Sequence, residues 1–317
     1  MRFAIQHAVG DPAWKPAILA PAAVRGFATA AEKGGFDAIG FTDHPAPSAA
    51  WINAGGEGVA DPFSALGFCA AVTSSVRLLT FVLVPSYRSP FLAAHQLATL
   101  DAVSGGRVTV GLGTGYLFSE FRAVGADPAS RRKEFDRAVD LMRRSWAGEE
   151  MSADAPDFVA RGTRVLPPVV QTPHPPLWIH GNSPFGVERA GRYAQGWLGM
   201  MTHDNDMLVR TTRTAPLPDH NVLARRIDEV RSSAAAAGRD PDTVDIVVAG
   251  AWPMLDVRAG RPAEAYLEEV ARLEALGVTW TASLCCGDDP RAAQETVERF
   301  GKEVIRPAKP AAGVTSG

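Results

Sequence analysis

Short apolar runs alternate along the chain with longer segments whose apolar residues recur at helical spacing. VRLLTFVLV, VTVGLG and DIVVAG are apolar at consecutive positions, the pattern of parallel strands buried on both faces. Strands are predicted at Arg2–Ala8, Ala38–Thr42, Val76–Val84, Arg107–Gly113, Leu177–His180, Gly196–Gly199, Val244–Gly250 and Thr279–Leu284. Helices are predicted at Pro21–Lys33, Pro62–Ser74, Pro90–Val103, Ser130–Trp146, Pro184–Ala194, Asp219–Ala237, Pro262–Ala275 and Pro290–Glu303. Pro62, Pro90, Pro184, Pro262 and Pro290 stand at or near helix starts, where a missing N–H costs nothing. Gly34-Gly35 and Gly238 supply stops. This strict alternation predicts a (β/α)8 TIM barrel, for which 317 residues suffice with insertions. An open doubly wound sheet fits the same alternation, because alternation alone does not close a ring.

Three stretches exceed ordinary connections: Asp43–Asp61, Gly148–Pro176 and Met200–Pro218. Loops of that length usually carry function. The first and third follow strands directly, which in a barrel is the catalytic face. One domain is expected over residues 1–305, with a Pro-, Ala- and Gly-rich tail over 306–317 that is expected to be disordered. Composition adds mostly exclusions. Lys plus Arg is 32 against 35 for Asp plus Glu, a formal charge of −3, which asks for no nucleic acid or anionic membrane as partner. No signal segment or spanning helix is visible, and the expected setting is the cytoplasm. Cys69, Cys285 and Cys286 suit neither a disulfide framework nor a zinc site.

Candidate chemistry gathers at strand ends. Asp43-His44-Pro45 closes the second strand, and Pro45 biases His44 towards an extended conformation that projects its ring into the loop region. Histidine there can hydrogen-bond a heterocycle or move a proton; the plainer reading is a loop-capping Asp-His pair. Gly111-Leu112-Gly113-Thr114-Gly115-Tyr116 follows the fourth strand as G-x-G-x-G, one residue short of a dinucleotide fingerprint. It reads as backbone lying close to a flat ligand. In His180-Gly181-Asn182-Ser183-Pro184, Asn182 or Ser183 can cap the next helix, whose first N–H groups can accept a phosphate. Ordinary capping explains the same residues. Arg137, Arg143, Arg144, Asp136 and Asp140 read as a solvated helix face. Trp14, Trp146, Trp178 and Trp197 read as core, and Trp51 and Trp252 as candidate pocket walls.

LDAVSGGRVTVGLGTGYLFSEF and GFDAIGFTDH, within nearly chain-long similarity, resemble the luciferase-like flavin and deazaflavin oxidoreductases. The text is most similar to the branch that uses coenzyme F420, with FMN-dependent members as the alternative. The resemblance implies hydride transfer between F420 and a small organic substrate. The alternatives are an FMN-dependent monooxygenase using dioxygen and a non-catalytic flavin-binding paralogue. It implies His44 near the redox-active ring carbon with Asp43 beside it, and a cis peptide at Phe81-Val82 forming a bulge behind the ring. Val84 would pack near the ring, and Gly113, Thr114, Gly115, Tyr116 and Ser119 would line its edge. His180, Gly181, Asn182 and Ser183 would complete the cofactor site, the last three receiving the phosphate. Helices Pro62–Ser74 and Pro90–Val103 resemble those of a homodimer interface. Two departures stand out. Tyr116 occupies the place of a glutamate found in sugar-phosphate-oxidising relatives, with Glu120 one helical turn onward. The segment Met200–Asn205 lacks a phosphate-binding lysine, leaving Arg189 or His203 as possible helpers and disfavouring a sugar-phosphate dehydrogenase.

Overall fold

A computed structural model describes residues 1–9, 16–56, 58–155, 158–203, 209–210 and 213–309. Strand β1 (Arg2–Val9) leads through helix α1 (Pro21–Gly34) to β2 (Ala38–Phe41), the short α2 (Ala49–Asn53) and α3 (Pro62–Val72). Next come β3 (Arg77–Leu83), α4 (Pro90–Val103), β4 (Val108–Leu112), α5 (Phe118–Ala123) and α6 (Arg131–Trp146). A hairpin of β5 (Met151–Ala155) and β6 (Phe158–Thr163) precedes β7 (Leu177–His180), α7 (Pro184–Tyr193) and β8 (Gly196–Met200). The chain ends with α8 (His220–Ala236), β9 (Asp245–Ala249), α9 (Ala263–Ala275), β10 (Trp280–Cys286) and α10 (Pro290–Phe300). The parallel strands close in the order β1-β10-β9-β8-β7-β4-β3-β2. The ring is a closed barrel, and the open-sheet alternative is excluded.

Closure divides each strand's alternating side chains between two cores. Phe3, Ile5, Ile39, Leu78, Val110, Ile179, Trp197 and Val248 point outward and pack under the helices. Ala4, Ala38, Leu79, Phe81, Trp178, Leu198, Val247, Ala249, Trp280 and Ala282 fill the interior. Trp178 and Trp280 meet edge-on at 4.9 Å, and the Arg2 guanidinium lies 4.5 Å over the Trp280 ring. That plug seals the N-terminal end. Near the other end, register pairs Gln6 with Leu284, His180 with Leu198 and Met200 with Ala249. These side chains form the floor of an open mouth.

Every predicted barrel strand is present, with its ends displaced by no more than two residues. The insertions departed further from expectation. The loop after β2 carries α2, which Ser48 caps by accepting from Trp51 N at 3.2 Å, and Gly148–Pro176 contains the β5–β6 hairpin. A π turn at Gly301–Ile305 continues α10 into the residues expected to open a disordered tail. Arg306–Ala308 are helical and the Lys309 ammonium donates to Asp37 at 2.6 Å. Residues 310–317, and Trp14, lie outside the described residues. The helix face expected to be solvated is only partly so. Asp136 accepts two hydrogen bonds from Arg189, and Arg137 and Arg143 lie over the rings of Phe158 and Tyr193. No helix among the described residues is long and apolar enough to cross a membrane.

On the outer face of β1, His7 stacks on Phe41 at 4.7 Å and meets Phe27 edge-on at 4.9 Å. Burial pulls its pKa down from 6.5 to about 4. The unfolded chain therefore binds the His7 proton first as pH falls, and stability present above about pH 6.5 is lost towards pH 4. Between pH 7 and pH 5 this one group costs about 2 kcal/mol. His7→Phe should remove that loss, read as a smaller difference between urea-unfolding free energies at the two pH values. An unchanged difference would show that the acid sensitivity lies elsewhere.

Candidate active site

A cavity of about 330 Å³ opens at the C-terminal ends of the strands. It is lined by Asp43, His44, Phe81, Val82, Val84, Gly113, Thr114, Gly115 and Tyr116 from one side of the ring. His180, Gly181, Asn182 and Ser183 line it from the other. Of the residues expected at the site, Ser119 is the exception. It sits on the exposed outer face of α5, because the inward positions of that short helix are taken by Glu120 and Phe121.

Glu120 organises the β2 side. Its carboxylate is fully buried and accepts from Ala46 N at 3.0 Å, from the Tyr87 hydroxyl at 3.0 Å and from His44 Nδ1 at 2.9 Å. A carboxylate only accepts, so the bond requires the His44 proton on Nδ1, and in the neutral ring Nε2 is then the acceptor. The Tyr116 hydroxyl stands 3.3 Å from that Nε2 and donates to it. Burial, reinforced by the Glu120 charge, pushes the Tyr87 phenol far above its ordinary pKa and keeps it a donor. Trp51 backs both partners, with ring centroids 6.5 Å from His44 and 5.9 Å from Tyr116. Trp252 instead packs on Tyr266 and Phe300, and its indole N–H donates to Ser283 at 3.0 Å. It is core, away from the cavity, because β10 and the following helices cover it.

Asp43 is committed to the scaffold. Its buried carboxylate accepts from Val84 N at 3.0 Å and from Arg88 at 2.7 Å, tying the end of β2 to the turn after β3. The Phe81–Val82 peptide is cis, and the β3–β4 register shifts between Thr80 and Leu83. The glycines after β4 answer to this neighbour: a Cβ on Gly111 would stand 2.3 Å from the Thr80 carbonyl oxygen. One on Gly113 would stand 2.6 Å from Val82 Cγ2. Their first reason is thus close approach to β3, where the spacing alone had suggested approach to a ligand.

On the far side, Gly181 holds φ at +146°, and its carbonyl accepts from the Trp197 indole at 2.9 Å. Ser183 caps α7 by accepting from Gly186 N at 3.4 Å. Asn182 does not cap: its amide donates to Met200 O and Ala215 O and accepts from Met200 N, clasping β7 to β8. Arg189 is held by Asp136, and His203 lies 2.9 Å from the Gly250 carbonyl oxygen at φ +42°. Neither is a spare cation for a phosphate. Arginines that the sequence reading passed over line the mouth instead: Arg131, Arg132 and Arg213, beside Phe118 and Phe185. One signal was available. Arg131-Arg132-Lys133 puts positive charge on the first turn of α6, where the helix dipole disfavours it. His180 forms part of the wall; burial pulls its pKa down to about 4, so it is neutral, and its Nε2 is buried without a hydrogen-bond partner.

The luciferase-like monooxygenase family model matches residues 1–314. The chain belongs to this family. An F420-dependent glucose-6-phosphate dehydrogenase of Beutenbergia cavernae is 33% identical over 183 residues, 56% of this chain and 52% of that protein. An F420-dependent hydroxymycolic acid dehydrogenase of Mycobacterium tuberculosis is 30% identical over 223 residues, 68% of this chain and 55% of that protein. The matched part of the chain thus spans about half the length of such curated relatives. The monooxygenase RslO1 from Streptomyces bottropensis superposes with a TM-score of 0.74 at 21% identity, over 98% of this chain and 100% of that one. In this luciferase-like barrel, the His44–Glu120 pair joins β2 to α5 across the mouth.

Removing the Glu120 acceptors should be felt in stability and in the imidazole. Glu120→Ala orphans three donors and Glu120→Gln fewer, so urea midpoints should fall in the order wild type, Gln, Ala. Each buried donor left unpaired costs about 1–3 kcal/mol. Imidazole ¹⁵N spectra should report the Nδ1–H tautomer of His44 in wild type and its loss in Glu120→Ala. An unchanged tautomer would remove Glu120 as the group that sets it.

Proposed function

We propose that this chain is an F420-dependent oxidoreductase that transfers a hydride between the deazaflavin and a small organic substrate. The observation that carries this reading is one cavity shared by the His44 dyad, the β3 bulge and the arginine-rimmed Gly181–Ser183 turn. The F420-dependent activities named for the relatives above support it. The residues present fit such a group. A flat ring with polar edges needs a hydrogen-bonding partner, and the His180 Nε2 is buried without one. Val82, Gly113–Tyr116 and His180 would hold the ring, and Gly181–Ser183 with the α7 N-terminus would hold a phosphate.

When bound, the deazaflavin supplies the two-electron hydride chemistry. The chain's part is orientation and proton handling. Glu120 fixes the His44 ring and its tautomer, and Nε2 then takes a proton from the substrate, or returns one, with the Tyr116 hydroxyl as neighbour. Tyr116 lacks the acidity of a carboxylic acid, so His44 is the proton-handling group and Tyr116 a hydrogen-bond donor. The reading extends to assembly and setting. The small and apolar residues of α3 and α4 make these helices the proposed homodimer interface, with Leu92 and Val103 exposed. The three cysteines are free and buried, in keeping with a reducing cytoplasm.

Purified apoprotein mixed in turn with F420 and FMN should bind F420 in preference, followed by deazaflavin fluorescence, and should consume no dioxygen during turnover. Preference for FMN with oxygen uptake would make it a monooxygenase; tight binding without reduction by any donor would make it a non-catalytic paralogue. His44→Ala should lower turnover by about two to four orders of magnitude while thermal unfolding stays cooperative. Normal turnover of this variant would end the role of His44.

A further inference from the structure

Charge at the mouth is lopsided. Arg131, Arg132 and Arg213 line it, and no carboxylate among the described residues forms an ion pair with any of them. The lining carboxylate, Asp43, is already paired with Arg88, and the lining Arg189 with Asp136. The three guanidinium groups lie on aromatic rings, and Arg131 also donates to the Pro128 carbonyl oxygen at 2.8 Å. Arg131 lies 5.1 Å and Arg213 4.2 Å from the Phe118 centroid, and Arg132 lies 4.3 Å from that of Phe185. Stacking of this kind orients a guanidinium while leaving its N–H edge available to an anion.

Three observations count against a merely structural role. The first turn of α6 carries Arg131, Arg132 and Lys133 against Glu134, a net positive charge that opposes the helix dipole. Arg213 holds φ at +54°, in the left-handed region. Burial first, and then the neighbouring charges of Arg132 and Arg213, pull Arg131 below the ordinary arginine pKa. In a protein of formal charge −3, this rim carries three arginines without an ion pair among the described residues. Such local conflicts with stability mark functional positions.

Resting on the reading proposed above, we infer that this rim recognises the polyanionic tail of the cofactor and thereby selects F420 species by tail charge. F420 carries a phosphodiester followed by an oligoglutamate chain, with a carboxylate on each glutamate. Phe185 belongs to the first turn of α7, so Arg132 stands beside the Gly181–Ser183 turn, where the phosphate would sit. Arg131 and Arg213, gathered on Phe118, extend the positive rim beyond a single phosphate. Arg213 reaches the rim from the loop after β8 and meets Phe118, so the rim runs from the α7 side to the start of α5.

The test measures binding of the deazaflavin alcohol without phosphate or tail, of F420 with short and long tails, and of FMN. It compares wild type with the double variant Arg132→Gln/Arg213→Gln. In wild type, affinity should rise with tail length and fall as salt is added. In the double variant, affinity for long-tailed F420 should drop about tenfold or more, and affinity for the tail-free alcohol by less than twofold. Thermal stability at low salt should stay level or rise, where a structural role would lower it. Wild-type affinity independent of tail length, or a variant whose only change is a raised KM for a phosphorylated substrate such as glucose 6-phosphate, would overturn the inference and leave the F420 reading standing. Failure of every deazaflavin to bind wild type, with FMN bound, would overturn both.

Discussion

Closure of the parallel ring is the constraint on which everything else depends. β1 pairs on one edge with β2 and on the other with β10, so no edge remains. Once closed, a strand's alternating side chains lose their freedom of assignment: odd positions of β1 go under the helices, even ones into the bore. The bore is filled at one end by Trp178 and Trp280 and thins to Gln6, Ala249, Gly113 and Leu284 at the other. A cavity at the C-terminal mouth is the consequence of where the bulk was placed.

The mouth is then stiffened by polar ties between neighbouring strand ends. Asp43 joins β2 to the turn after β3, Glu120 joins the β2 loop to α5, and Asn182 joins β7 to β8. Each tie uses a buried side chain with its hydrogen-bonding capacity engaged, the condition under which buried polar groups rigidify a site rather than weaken it. Among the groups lining the cavity, two depart from this pattern: His180 Nε2 is buried without a partner, and the arginine rim forms no ion pair among the described residues. In the proposed reaction these are the places where a ring and an anionic tail complete the protein.

The scaffold was more legible in the sequence than the site. Apolar runs such as DIVVAG and helix-opening prolines depend on neighbours a few residues away, so strands and helices could be read directly. At the site, residue types and strand-end positions marked His44, Tyr116 and the Gly181–Ser183 turn, and the family text pointed to the peptide at Phe81–Val82. What each side chain does there was not legible. Asp43 and Asn182 are engaged with the scaffold, Trp252 belongs to the core, and Gly111 and Gly113 make room for β3. Arg131 and Arg132 looked like part of a charged helix start until Phe118, Phe185 and Arg213 surrounded them.

By itself, then, the order of residues determined the alternation of strand and helix and the set of strand ends that could carry chemistry, because both follow from local periodicity and from backbone rules for proline and glycine. Tertiary structure alone decided the closed ring, the partnership of His44 with Glu120 across 76 positions, and the gathering of three arginines on one rim. These are contacts between residues far apart in sequence. Their energies depend on distance, burial and the charge that surrounds them, quantities that exist only once the chain has folded.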